Sequence, residues 1–155
     1  MNTDPVVILP GDPRSAEAIA LLQASHALMQ SLFPPEANHY LSVDALCQPS
    51  ILFFIAHLKG EAAGCAALSL NDGYGEVKSM FVDPAKRGAK IGSKLLVRLE
   101  TEAKTRDLPF LRLETGDKLV AAHRLYAANG YTLRGPFGDY PDEPTSIFME
   151  KALGK

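Results

Sequence analysis

The sequence predicts a single mixed α/β (α+β) domain, and three observations predict it. The chain has 155 residues, enough to bury a core without disulfides or a structural metal. Its apolar residues recur now at every second position and now at helical spacing, so strands alternate with helices. The order is strand, helices, three strands, helix, strand, helix, two strands, which packs helices against a sheet. No internal repeat or long linker divides it, so residues 1–155 are expected to form one unit.

Element by element, Pro5 to Leu9 is a short apolar run rich in Val and Ile, and Pro10, Gly11, Asp12 and Pro13 end it as a turn. Asp12 is the expected N-cap of the first helix, with Pro13 at its first position. Ile19, Leu22, His26, Met29 and Phe33 then recur on one face until Pro34 and Pro35 stop it. Glu36 to Gln48 reads as a second short helix with loops. Ile51–Leu58 and Ala62–Leu70, separated by Lys59, Gly60 and Glu61, have the spacing of an antiparallel hairpin. Glu76–Val82 adds a third strand, ended by Asp83 and Pro84. Ile91, Leu95, Leu99 and Ala103 repeat every fourth residue, so Gly88 to Arg106 reads as an amphipathic helix. Leu108–Thr115 is a strand and Asp117–Asn129 a helix with Gly130 just past its end. Tyr131–Leu133 and Thr145–Met149 close the chain as strands.

Composition narrows the functions. Hydrophobic residues make up 46% and charged residues 22%, ordinary globular usage, and the net charge of -2 provides no broad basic field. Nucleic acid and anionic membrane are therefore not expected partners. Cys47 and Cys65 lie far apart in apolar surroundings and read as buried free thiols of a reducing compartment. Met1 to Asp12 lacks a basic stretch followed by an apolar run, and no window is long enough to span a bilayer, so the expected location is cytoplasmic.

The central helix starts with the wrong charges. A helix N-terminus carries partial positive charge and unpaired N–H groups, so its first turn normally gathers Asp or Glu. Here Lys86, Arg87, Lys90 and Lys94 gather instead, with no acid from there to Glu100. The arrangement makes sense if an external polyanion such as a phosphate chain sits on the amides, with Gly88 and Gly92 allowing close approach. A solvated basic face is the competing reading. The segment is not a GxxxxGK[ST] loop, being one spacer short, and the dinucleotide pattern GxGxxG is absent.

Met80 to Gly92, reading Met80, Phe81, Val82, Asp83, Pro84, Ala85, Lys86, Arg87, Gly88, Ala89, Lys90, Ile91, Gly92, resembles the coenzyme A loop of the GNAT family of N-acetyltransferases. Leu125, Tyr126, Ala127, Ala128, Asn129, Gly130, Tyr131 resembles that family's catalytic-tyrosine helix. Glu76–Met80, Leu113–Gly116 and Gly135–Tyr140 are similar to a bacterial subgroup typified by YsnE. Lys90 stands where the family loop carries its first Gly, and Leu119 where many members carry Asn, so no pantetheine contact is assigned to Leu119.

The resemblance implies the GNAT fold, a mostly antiparallel twisted sheet of about seven strands flanked by about four helices. It implies acetyl-CoA as co-substrate and no metal. Arg87 and the amides of Gly88, Ala89, Lys90, Ile91, Gly92 and Ser93 would hold the pyrophosphate, and Met80, Phe81 and Val82 would pair with the pantetheine arm. Tyr126 would be the general acid at the sulfur, and Glu76, or failing it Glu114, would accept the amine proton. His123 reads as a surface residue. The loops 33–39 and 135–143 would shape the acceptor site, Glu36, Asp139, Asp142 and Glu143 attracting a cationic amine and Phe137 or Tyr140 stacking on it. The expected activity is acetyl transfer to a primary amine of a small molecule. A protein lysine or N-terminus as acceptor, a non-catalytic acyl-CoA sensor and an interaction domain that has lost the coenzyme stay open as alternatives. A homodimer paired through exposed strands is the expected assembly.

Overall fold

The computed structural model describes residues 5–154; the ends of the 1–155 unit expected above lie outside the described residues. The elements are β1 (Val6–Pro10), α1 (Ala16–Leu32), α2 (Val43–Leu46), β2 (Ile51–Leu58), β3 (Glu61–Asn71), β4 (Tyr74–Val82), α3 (Ile91–Thr105), β5 (Phe110–Gly116), α4 (Val120–Ala128), β6 (Thr132–Arg134) and β7 (Ser146–Ala152). Single 3₁₀ turns at Pro35–Ala37 and Pro84–Lys86 precede α2 and α3. The sheet runs β1-β2-β3-β4-β5-β7-β6. Every neighbouring pair is antiparallel except β4 and β5, which are parallel.

Strand β3 shows how the sheet holds two layers. Its side chains alternate, so Cys65 and Ala67 meet Ala18, Leu21 and Leu22 of α1, while Ala66 and Leu68 meet Leu95, Leu96 and Leu99 of α3. Small residues let the layers close: a Cβ on Gly64 would stand 3.2 Å from Ile91 Cγ2 of α3. Leu95, Leu96 and Leu99 are fully buried, each contributing about 2 kcal/mol of apolar burial. No helix among the described residues is long and apolar enough to cross a membrane.

Several boundaries differ from expectation for local reasons. The N-cap of α1 is Ser15, whose Oγ accepts from the Ala18 amide at 3.2 Å, whereas Asp12 instead caps the turn before it by accepting from the Arg14 amide. The expected stripe is only partly core, since the fully covered face is Ala18, Leu21 and Leu22, and Phe33 is the C-cap. Helix α3 begins at Ile91, three residues later than Gly88, because Gly88 and Lys90 both take positive φ, +105° and +59°. Helix α4 likewise starts at Val120 rather than Asp117. The β2–β3 turn places Lys59 and Gly60 at φ +52° and +87°, the geometry of a two-residue hairpin. Gly130, at φ +93°, ends α4 as expected.

Candidate active site

The parallel seam between β4 and β5 opens. Among the described residues the two strands pair only at Gly75↔Leu111 and Glu76↔Arg112. Beyond Glu76, β4 bends away at a bulge: between the pairs Ala67↔Lys78 and Cys65↔Phe81, β3 has one residue where β4 has Ser79 and Met80. Ser79 takes φ +53°, and its carbonyl is anchored by the Cys65 thiol at 3.3 Å. Val77 to Val82 therefore presents a strand edge without a β5 partner, with Met80, Phe81 and Val82 along it.

Two cavities meet in this opening. The smaller, about 100 Å³, is walled by Ser25 and Met29 of α1, Ser79 on the bulge, Glu114 at the end of β5, and Leu119 and Tyr126 of α4. The larger, about 410 Å³, is lined by Asn71, Tyr74, Glu76, Asp139 and Tyr140. His39, Tyr40 and Lys78 border both.

Tyr126 is 5% exposed and packs edge-on to Tyr131 at 5.8 Å. Burial, reinforced by the charge of Glu114, raises its phenol far above the ordinary value, so it holds its proton at any physiological pH. Glu114 is raised by burial, against the lowering effect of the Ser146 hydroxyl that donates to its Oε2 at 2.8 Å. Glu76 lies on the other cavity, where it accepts the Tyr140 hydroxyl and pairs with the Lys78 ammonium at 3.5 Å. Lys78 also donates to Tyr140 Oη at 2.6 Å and to the His39 carbonyl at 3.1 Å. The structure thus divides the two predicted bases: Glu114 shares a chamber with Tyr126, and Glu76 is held in a polar cluster next door.

Sequence reasoning placed His39 and Glu143 in the acceptor loops but missed the contacts by which they join these chambers. His39 Nε2 lies 2.6 Å from Glu143 Oε1, and Ser146 Oγ lies 3.4 Å from the same oxygen, so a polar path runs from Glu114 through Ser146 and Glu143 to His39. The contact between His39 and Glu143 spans 104 positions, beyond any local signal. Lys78 stood in the sequence only as part of the Glu76–Met80 segment, with no role read for it.

The loop before α3 has the open form an anion requires. Lys90, its N-cap, makes no side-chain cap, the first turn holds no acid, and the amide of Lys94 bonds back to the Lys90 carbonyl at 3.0 Å. The amides of Ile91, Gly92 and Ser93 come before that first return bond. Arg87, Gly88 and Lys90 are exposed, while Ile91 anchors the helix in the core. A Cβ on Gly92 would meet Leu125 Cδ2 at 2.8 Å, so Gly92 sets the approach of α3 to α4. Asn129 Nδ2 adds a tie, donating to Ser93 Oγ at 3.1 Å. Of the cations gathered there, Lys86 is tied to protein carboxylates: its ammonium pairs with Asp83 at 3.3 Å and Glu61 at 3.8 Å.

Other expectations are corrected by packing. Phe33 is buried against Gly116, where a Cβ would come within 2.1 Å of its ring, so it is a structural contact rather than an acceptor residue. Phe137 is buried against Tyr74, Tyr140 and Phe148, so of the two expected stacking residues only Tyr140 lines the cavity. Glu36 and Asp142 are exposed, and neither lines either cavity. His123 is not a free surface residue: its Nε2 lies 2.8 Å from the Gly116 carbonyl, fastening α4 to the end of β5. Cys65 is buried, its thiol pushed up to about 12, whereas Cys47 is only half-buried.

Comparison with known proteins agrees with this architecture. The profile of the Acetyltransferase (GNAT) family matches residues 19–131. The IAA acetyltransferase of Azospirillum brasilense is 41% identical over 150 residues, covering 96% of this chain and 98% of the relative. The uncharacterized N-acetyltransferase YsnE of Bacillus subtilis is 33% identical over 145 residues, with 92% and 96% covered. A crystal structure from Klebsiella pneumoniae, classed as an acyl-CoA N-acyltransferase, superposes with a TM-score of 0.81 at 38% identity, covering 96% of this chain and 98% of that one. With this fold, this opened seam and these relatives, the chain belongs to the GNAT family of acetyltransferases and is an acyltransferase with acetyl-CoA as its co-substrate.

Proposed function

We propose that this enzyme moves the acetyl group of acetyl-CoA to a primary amine of a small molecule by direct attack, without a covalent enzyme intermediate. The observation that carries the reading is the meeting of the two cavities at His39, Tyr40 and Lys78, one holding Tyr126 and Glu114 and the other offering about 410 Å³ for an acceptor. That volume suits a small ligand better than a protein chain. The relative named for IAA supports a small-molecule acceptor too.

When bound, acetyl-CoA supplies the thioester that the amine attacks. Arg87 and the amides of Gly88, Ala89, Lys90, Ile91, Gly92 and Ser93 hold the pyrophosphate, and the edge of Met80, Phe81 and Val82 pairs with the pantetheine arm. Tyr126 donates its proton or a hydrogen bond to the departing sulfur. A free phenol of pKa about 10 already holds its proton more firmly than a thiol of about 8.5, and burial widens the gap. Hydrogen-bond stabilisation of the thiolate is therefore the larger part of its work. Glu114, in the same chamber and made more basic by burial, accepts the amine proton; Glu76 is the second candidate and orders Lys78 and Tyr140. The same reading places the enzyme in the cytoplasm, where the free thiols stay reduced.

The test is release of free thiol from acetyl-CoA with a panel of small primary amines. Turnover with at least one amine is expected. Tight binding of CoA with no turnover on any small amine, protein lysine or N-terminal peptide would replace this reading with that of a sensor.

A further inference from the structure

We infer that Ser79 is a further catalytic residue, whose hydroxyl donates a hydrogen bond to the carbonyl oxygen of the acetyl group as the amine attacks. The inference rests on the reading that acetyl-CoA lies in the opened seam.

Ser79 Oγ is buried and has no hydrogen-bond partner among the described residues. Native structures rarely leave such a hydroxyl unsatisfied without a functional reason. The other buried side-chain atoms in that condition are His26 Nε2, Asn38 Oδ1 and His57 Nδ1, and none of those residues lines the chamber of Tyr126 and Glu114. Ser79 does.

The backbone gives a second, independent reason. Ser79 holds φ +53°, a region that costs a residue with a Cβ, at the bulge where β4 leaves β5. The Cys65 thiol fixes its carbonyl at 3.3 Å, and Cys65 is itself fully buried between β3 and α1. Ser79 is thus set on a rigid, strained turn in the wall of the chamber where the thioester would lie. Strain and an orphaned donor at one residue are what a preorganised donor requires.

The chemistry balances without an added reactant. The amine nitrogen forms a bond to the carbonyl carbon, and the carbonyl electron pair moves to oxygen, where Ser79 donates to the growing charge. The pair returns as the carbon–sulfur bond breaks, and the thiolate leaves with Tyr126 donating to it. Ser79 keeps its own proton throughout, and the proton lost by the amine goes to Glu114.

Calorimetric titration with acetyl-CoA and with CoA tests this without an identified acceptor, because only acetyl-CoA carries the carbonyl. Wild type is expected to bind acetyl-CoA about 5- to 10-fold more tightly than CoA. In Ser79→Ala that ratio should fall to about one, with the CoA affinity unchanged and the melting temperature of the free protein no lower, since an unpaired hydroxyl has been removed. Ser79→Gly, which also relieves the positive φ, should show the same loss and guards against a folding defect. An unchanged ratio in both variants would overturn the role of Ser79 while leaving the coenzyme site intact. Failure of wild type to bind either ligand would overturn the coenzyme reading, and this inference with it.

Discussion

The helices on the two sides of the sheet begin differently. On one side, α1 and α2 start with Ser15 and Ser42, whose hydroxyls accept from the amides of Ala18 and Ala45, and each carries an acid in its first turn, Glu17 and Asp44. On the other, α3 and α4 start with Lys90 and Leu119, which provide no side-chain cap, and neither has an acid in its first turn. A good cap is worth about 1 kcal/mol, so two uncapped starts are a cost that packing alone does not explain. The capped pair completes itself; of the uncapped pair, α4 has Leu119 on the chamber wall and α3 leaves the amides of Ile91, Gly92 and Ser93 ahead of its first return bond. The difference teaches where this chain reserves its polar groups for something outside itself.

If α4 serves the ligand, the largest effect should come from its inner turn. Tyr126→Phe is expected to lower turnover about 10²-fold while leaving the CoA dissociation constant nearly unchanged, measured by thiol release and by titration. Equal activity would mean that the α4 side is merely a poorly capped structural helix.

Charge at the start of α3 comes next. Arg87→Glu should weaken CoA binding about 10-fold or more, with little effect on turnover once the coenzyme is saturating. An unaffected dissociation constant would break the contrast at α3.

The smallest of these effects concerns pH. Burial raises Glu114, so its carboxyl favours the folded state when protonated. That contribution is present below the unfolded carboxylate value, about pH 4, and is lost as pH rises through the higher folded value. Glu114→Gln should therefore match wild type in melting temperature at pH 4 and exceed it at pH 8, while losing activity. A lower melting temperature at pH 8 would show that the Ser146 contact, not burial, governs this carboxylate.

The contrast was half legible beforehand. The cationic start of α3 stood in the sequence because Lys86, Arg87, Lys90 and Lys94 lie close together on the chain, and the apolar run Ile51–Leu58 came out with its true bounds. Tyr126 and the two glutamates could be named because motifs lie along the chain. What the motifs could not convey is pairing across it. The contact between His39 and Glu143 depends on two loops meeting, and the burial of Phe137 depends on Tyr74 and Phe148 closing around it. Of the two partners of Lys86, Asp83 is local at i−3, but Glu61 belongs to the β2–β3 hairpin turn and could not be read along the chain. The bulge at Ser79 left no mark, since serine is common in turns and strands alike; only the register shift and positive φ disclose it.

The claim on which the rest depends is that the start of α3 is left open for the diphosphate of the coenzyme. Its most direct test is the calorimetric titration of CoA into Lys90→Asp, which puts a carboxylate at the uncapped start, with Lys90→Gly as the control that removes the cation and keeps the loop. Lys90→Asp should weaken CoA binding at least about 10-fold, while Lys90→Gly stays close to wild type. Wild-type affinity in Lys90→Asp would contradict the account.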